Sequence, residues 1–208
     1  MWCREPTRAW RAAGHRRALR RLDTLDVGAL HWLTMNLPKS ELGGQYNGAA
    51  LNSFLLGLAQ SQSLVQKILR DFGVESIDPN RWYDAVWAIP IYYAINEQIG
   101  RGAVIAVGKR MIETAPFPPG IDDVRSVLQS LDAAYKLNAR GPDTGDITCE
   151  FEDECSAVLE WSTWGPCALN IGIMQGCCSR FGAHALVEHA PGGCMDDGAA
   201  SCVYRVSW

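Results

Sequence analysis

The stretches ITCEFEDECSAVLEW (147–161) and PCALNIGIMQGCCSRF (166–181) decide the fold. In the first stretch, polar and apolar residues alternate on both sides of the acidic turn Asp153-Glu154, which predicts a β-hairpin. In the second, Pro166 opens an apolar segment without that alternation, which predicts a helix. The predicted elements are strands at 147–152 and 156–161, a helix at 167–181, and further strands at 183–189 and 202–208.

The residues before this region show helical periodicity. Leu51, Phe54, Leu55 and Leu58 follow the spacing of one buried helix face. Five further helices are predicted: one from Ser61 or Ser63 to Gly73, a short aromatic one from Pro79 to Pro90, and others at 91–99, 103–114 and 122–138. Because helices come first and strands later, we predict an α+β fold with an N-terminal helical half and a four-stranded antiparallel sheet in β-β-α-β-β order.

A length of 208 residues predicts one domain with an appendage. We expect a basic N-terminal arm at 1–34 and one α+β domain at 35–208, with its helical part at 45–140 and its β-β-α-β-β part at 145–208. For the arm three alternatives remain open: a mis-assigned start with Met35 as the true first residue, a disordered or helical arm, or a targeting segment.

The charge distribution limits the function classes. Residues 1–21 hold seven arginines and one acid, although the whole chain has a net charge of −4. The folded part is therefore acidic and would repel nucleic acid. No apolar run approaches the roughly 18–20 residues that span a bilayer. With no secretory signal either, we expect a cytoplasmic protein with no membrane span.

Eight cysteines would suggest disulfides in a secreted chain. Without a signal peptide, and with Cys177 and Cys178 adjacent, we expect reduced thiols that bind a metal or a ligand. Cys149 and Cys155 flank the hairpin turn without facing each other, so we expect free thiols there.

The C-terminal region resembles the vinyl-reductase (4-vinyl reductase-like, V4R) domain family. The resemblance is carried by the strand pair, Pro166-Cys167, the helix segment GIMQG (172–176) and the ending CMDDGAASCVYR (194–205). Upstream, WAIP (87–90) and IAVG (105–108) are similar to a related group near the haem-nitric-oxide sensors.

The resemblance implies a zinc site. Cys167, Cys194 and Cys202 occupy the family's three thiol positions, whereas the position of its glutamate ligand holds Pro191, so His189 or Glu188 is the candidate fourth ligand. Three thiolates and one imidazole or carboxylate form a closed, structural zinc shell, which would fasten the last loop to the helix. The alternative is that the three cysteines are simply buried small side chains.

The resemblance also implies a small-molecule sensor that signals through a homodimer or a partner protein. The candidate residues for a small apolar or aromatic ligand are Trp82, Trp87, Tyr92, Trp161 and Trp164, with core packing as the alternative for each.

Two other functions stay open. A tetrapyrrole-related reductase, or an accessory protein of (bacterio)chlorophyll synthesis, would need a hydride source. The sequence has no dinucleotide or phosphate loop, so we assign no catalytic residue and lean against an enzyme. A haem-based gas sensor needs an axial ligand, yet no histidine lies between His31 and His184, and the Tyr-x-Ser-x-Arg motif of the haem-nitric-oxide family is absent. The sequence therefore argues against haem.

Overall fold

The structure, a computed structural model, describes residues 43–114, 117, 119–190 and 193–208. The predictions about the basic arm at 1–34 and about a start at Met35 lie outside the described residues. Within the described ranges, no helix is long and apolar enough to cross a membrane.

Apart from three short strands in the N-terminal half, the secondary-structure elements follow the predicted order of helices first and strands later. They are β1 Gln45–Asn47, α1 Gly48–Gly57, α2 Gln62–Asp71, β2 Trp82–Asp84, α3 Ala85–Ile99, α4 Arg101–Thr114, α5 Val124–Gln129, α6 Leu131–Lys136, β3 Ala139–Arg140, β4 Ile147–Phe151, β5 Ser156–Trp161, α7 Cys167–Arg180, β6 Leu186–His189 and β7 Cys202–Ser207. Short 3-10 turns lie at Ala59–Ser61 and Met195–Asp197.

The predicted four-stranded antiparallel sheet is confirmed, with strand order β4-β5-β7-β6. In β5 and β7, alternate residues are buried against α7, which places Leu159, Tyr204 and Val206 in one core with Met174 of the helix. Cys149 of β4 faces Leu159 rather than Cys155, as the hairpin pattern indicates.

The helical half differs from the prediction around Pro90. The predicted aromatic helix and its neighbour at 91–99 form one helix, α3, which runs through Pro90. A proline inside a helix removes one backbone hydrogen bond. Here, however, every α3 residue from Trp87 to Ile95 is buried, and tertiary packing keeps such a helix continuous.

Two other boundaries also differ. The segment Trp82–Asp84 is a strand rather than a helix, because it pairs with Gln45–Asn47 in a small sheet of order β2-β1-β3. The single helix predicted from Asp122 is interrupted at Ser130. Its start is capped by the side chain of Asp123, which accepts a hydrogen bond from the backbone N–H of Ser126.

Glycines allow α4 and α7 to cross closely. A Cβ atom at Gly172 would lie 2.2 Å from the carbonyl oxygen of Ile105, and one at Gly108 would lie 2.5 Å from the carbonyl oxygen of Leu169. Both neighbours are backbone atoms, so they cannot rotate away. This contact joins the helical half to the helix that covers the four-stranded sheet.

Candidate functional site: a cysteine–histidine cluster beside an apolar cavity

Three cysteines and one histidine from four segments meet beside the four-stranded sheet. Cys167 is the first residue of α7, His189 is the last residue of β6, Cys194 precedes the 3-10 turn, and Cys202 is the first residue of β7. Their possible ligand atoms all lie within 4.8 Å of one another. We call these four residues the Cys/His cluster. Every described cysteine is a free thiol.

The distances in the Cys/His cluster suit a tetrahedral ion. The Sγ of Cys167 lies 2.9 Å from that of Cys194 and 3.3 Å from that of Cys202, and the last two sulfurs are 3.9 Å apart. The Nε2 atom of His189 is 3.7 Å from the Sγ of Cys167. Zinc–sulfur bonds of about 2.3 Å at tetrahedral angles separate two sulfurs by about 3.8 Å. The Cys194–Cys202 pair already has this separation, and the two pairs that include Cys167 need to open by less than about 1 Å.

The fourth position of the cluster is held by His189 rather than Glu188. Glu188 faces Arg205 across the β6–β7 pair, whereas the His189 ring lies against Tyr204, 4.8 Å between ring centroids. Successive side chains of a strand point to opposite faces, so only one of the two residues can turn toward the cysteines.

The electrostatics of the cluster favour one negative charge when no metal is bound. The hydrogen bond from Cys167 lowers the pKa of Cys202 to about 5, and the backbone N–H of Met195 supports it with a second hydrogen bond of 3.1 Å. The same bond to Cys202, together with burial, raises the pKa of Cys167. Burial also raises the pKa of Cys194. A cation is needed to hold the other two sulfurs as thiolates.

We therefore expect one thiolate in the metal-free protein at neutral pH. A pKa below its ordinary value leaves Cys202 ionised at pH 7, and acidification through about pH 5 protonates it. The thiolate absorbance near 240 nm should fall over that pH range, and the Cys202→Ala variant should lack the step. Cys155→Ala removes an exposed thiol and should keep it. A step that survives in Cys202→Ala would contradict the assignment.

The loop that carries Cys194 is bonded to the start of α7. The carboxylate of Asp196 accepts a hydrogen bond of 3.2 Å from the backbone N–H of Cys167. An acidic group at a helix N-terminus also interacts favourably with the helix dipole. Tyr93 from α3 donates a hydrogen bond to the carbonyl oxygen of Gly165, just before the helix. The position of Cys167 is therefore fixed from two sides.

An apolar cavity of about 440 Å³ lies between the helical half and the sheet. Its walls come from both halves of the molecule, and α7 contributes Leu169, Asn170 and Ile173. The other lining residues are Tyr46, Asn47, Ala49, Ala50, Ser53, Tyr92, Met111, Ile112, Phe117, Leu131, Ala134, Tyr135, Leu137, Asn138, Ile147, Trp161, Thr163 and Trp164. A mostly apolar wall with a few polar groups is typical of small-molecule sites.

The polar groups of the cavity include a tyrosine pair. The hydroxyls of Tyr46 and Tyr135 are 2.6 Å apart, and Tyr135 donates to the carbonyl oxygen of Thr144, so Tyr46 is the donor within the pair. Burial raises the pKa of both phenols and of Tyr92. All three therefore stay neutral and act as hydrogen-bonding groups.

Of the five aromatic residues predicted to bind a ligand, Tyr92, Trp161 and Trp164 line the cavity. Trp82 and Trp87 do not. The Trp87 indole donates to the carbonyl oxygen of Phe72 and its ring stacks on Tyr83, whereas Arg140 covers the Trp82 ring. These two side chains stabilise the helical half instead.

The side chains at these sites that the sequence did not single out include Tyr204, Tyr46 and Tyr135. Tyr204 was detectable, since residues two apart on a strand share a face and Cys202 was already a candidate. Tyr46 and Tyr135 meet across most of the domain, and no local pattern pairs them.

Known structures identify the fold. No family model matches the sequence, and no curated protein matches it. Among solved structures, one from a study of haem distortion in the H-NOX family has a TM-score of 0.62 at 18% identity, covering 78% of this chain and 94% of that one. An S. oneidensis H-NOX protein in the Fe(II)NO state has a TM-score of 0.58 at 17% identity, covering 77% and 98%. An oxygen-binding H-NOX domain related to soluble guanylate cyclases has 0.58 at 18%, covering 77% and 94%. The chain therefore has the α+β fold of H-NOX domains.

This similarity corrects one prediction. The absence of a histidine between His31 and His184 argued against haem, but the structures that share this fold include haem proteins. Sequence distance explains the error, because a motif or ligand position can be lost at 17–18% identity while the fold persists. The likeness to haem-nitric-oxide sensors is shown for the fold, and the vinyl-reductase resemblance stays a prediction.

Proposed function

We propose that the protein is a small-molecule-binding sensor domain whose ligand occupies the apolar cavity. The observation that carries the proposal is the cavity itself, which lies between the helical half and the sheet of an H-NOX fold. The neighbours bind haem, nitric oxide or oxygen, so haem is the first ligand to test.

Haem would meet a specific set of side chains in this cavity. The apolar walls suit a porphyrin, and the lining offers the Met111 thioether and tyrosine phenols as groups that would hold its iron, with no histidine or cysteine among the described lining residues. Methionine and tyrosine both serve as haem ligands in proteins. Since burial raises the pKa of Tyr46, Tyr92 and Tyr135, Met111 is the candidate ligand. Bound haem would supply an iron that can hold a diatomic gas.

A metal-free apolar ligand is the second candidate. The neutral Tyr46 and Tyr135 hydroxyls in an apolar wall fit a molecule with one hydroxyl or carbonyl group, such as a phenol or a fatty acid. As with haem, binding would be read out through a homodimer or a partner protein.

The Cys/His cluster is proposed as a structural zinc site. Three sulfurs and one imidazole at these distances leave no coordination position for water, so the ion would secure α7, β6 and β7 to one another rather than catalyse. Support comes from the donor set and from the single thiolate that the metal-free cluster favours.

Ligand titration tests the cavity. We expect haem, or one of a panel of phenols, porphyrins and fatty acids, to bind with a 1:1 stoichiometry, and haem binding to produce a Soret band. Ala50→Trp places an indole in the cavity and should abolish binding, whereas Ala59→Trp changes an exposed alanine outside it. If haem binds, Met111→Leu should shift the Soret band while the volume is nearly conserved. Equal binding to Ala50→Trp and wild type would refute the proposal.

A further inference from the structure

Tyr204 contacts both the Cys/His cluster and the cavity wall. It lies on β7, two residues after Cys202, and is fully buried. Its ring packs edge-on against the His189 ring at 4.8 Å and against Trp161 at 6.3 Å, measured between ring centroids. One side chain therefore touches a proposed metal ligand on one side and a cavity-lining residue on the other.

The hydroxyl of Tyr204 also connects the Cys/His cluster to the cavity wall. It accepts a hydrogen bond of 3.3 Å from the side-chain amide of Asn170, which lines the cavity and is 3% exposed. Burial and the neighbouring Cys167 thiol raise the pKa of the Tyr204 phenol, so the hydroxyl also lies within electrostatic reach of the cluster. A phenylalanine would fill this space equally well if packing were the only role, so the hydroxyl is best explained by these two polar neighbours.

The first turn of α7 is a second connection. Cys167 belongs to the cluster, while Leu169 and Asn170 in the same turn line the cavity. The start of this helix is also bonded to the Cys194 loop through Asp196. A change in the position of Cys167 must therefore move two residues of the cavity wall, because neighbouring residues of a helix move together.

We propose that the metal and the cavity ligand bind cooperatively, through Tyr204 and the first turn of α7. This inference rests on the proposed zinc and ligand sites and adds a regulatory link between them. Without an ion, packing and hydrogen bonds hold the four segments that carry the cluster, and no bond joins the four cluster side chains to a common centre. Coordination would hold His189 and Cys167 in place. The Tyr204 ring, which packs against His189, would then stay against Trp161, and its hydroxyl would stay bonded to Asn170. A cavity wall that is fixed before binding loses less conformational entropy when the ligand enters.

The coupling can be measured as a ratio of dissociation constants. The probe is 1-anilinonaphthalene-8-sulfonate, an anionic dye with an apolar ring system, titrated by fluorescence into the zinc-loaded and zinc-free full chain, with folding checked by circular dichroism. We expect zinc to tighten dye binding at least fivefold, within the usual range of coupling. By linkage, saturating dye should tighten zinc binding by the same factor, measured in competition with a chelating indicator.

Tyr204→Phe separates coupling from general stabilisation. It keeps the ring and removes the hydroxyl, so the coupling factor should fall to about twofold or less. Tyr83→Phe is the matched control, because Tyr83 is also buried and its hydroxyl accepts a hydrogen bond from the backbone of Asp78 in the helical half. That variant should keep the wild-type factor. If zinc acted only by keeping the chain folded, both variants would show the same factor.

The outcomes distinguish the proposals. Zinc and dye that bind without affecting each other would overturn the coupling alone. An unchanged factor in Tyr204→Phe would overturn the role of this residue. Failure of zinc to bind, or dye binding that persists in Ala50→Trp, would overturn the coupling together with the metal site or the cavity site.

Discussion

Cys194→Ser should lower zinc affinity by more than about 100-fold, since changes that leave all ligands in place already reduce metal affinity by 10–100-fold. The wild-type chain should retain one zinc ion after dialysis against a weak chelator, and the variant should retain none. Cys194 is the best cysteine to replace because it is only half-buried, whereas Cys167 and Cys202 are fully buried and their replacement would also disturb packing. Metal content by mass spectrometry gives the result.

The stability of the fold should change with the metal. An ion present at about 1,000 times its dissociation constant stabilises the folded state by about 4 kcal/mol. Chelation should therefore lower the melting temperature of the wild type and leave that of Cys194→Ser unchanged. Cys155→Ser is the control, because Cys155 is exposed in the hairpin turn beside Ser156, which pairs with Ser207 at the opposite end of β7 from Cys202. A Cys194→Ser protein with one tightly bound zinc would refute the site.

The identity of the fourth ligand follows from the same assay. His189→Ala should lose zinc, and Glu188→Gln should keep it, since Glu188 faces Arg205 across the β6–β7 pair. Loss of zinc in Glu188→Gln alone would reverse the assignment.

The parts of this site that depend on patterns of neighbouring residues could be predicted from the sequence, whereas the parts that depend on contacts between distant segments could not. The sheet was predictable because the alternation in Ser156–Trp161 is a local pattern, whereas the register and the pairing of β5 with β7 were seen only in the structure. The three cysteines came from the resemblance. The choice between Glu188 and His189 needed the shorter observed strand, Leu186–His189, and its pairing with β7. Residue order alone does not fix a strand's end.

The cavity-lining residues were harder to predict, because aromatic side chains occur both in ligand sites and in the packed core. The sequence does not distinguish the roles of Trp161 and Trp87. In the structure, Trp161 lines the cavity, whereas Trp87 stacks on Tyr83. The β1–β2–β3 sheet was missed for a related reason. Its three short strands come from Gln45, Trp82 and Ala139 onward, and only tertiary packing brings such distant segments together.

Gly108→Ala and Gly172→Ala should each destabilise the fold by about 3 kcal/mol or more. In an exposed helix the same change stabilises by roughly 0.5–1 kcal/mol, because alanine has less freedom in the unfolded chain. At the α4–α7 crossing the new methyl group would meet backbone atoms at 2.5 Å and 2.2 Å, respectively. Overpacking typically costs about 1–3 kcal/mol when side chains can adjust, and more when the obstacle is backbone. The melting temperature should fall by roughly 10 °C.

Gly102→Ala is the matched control, since Gly102 lies on the same helix as Gly108, is exposed and has no atom within 4 Å of the added Cβ. It should leave the melting temperature unchanged or raise it slightly. If Gly108→Ala proved as stable as Gly102→Ala, the close crossing would be wrong. We expect Gly108→Ala and Gly172→Ala to reduce zinc and dye affinity as well as the melting temperature. The helix displaced by the methyl group, α7, carries both Cys167 of the cluster and Leu169 of the cavity wall, so forcing α4 and α7 apart must disturb the two sites together.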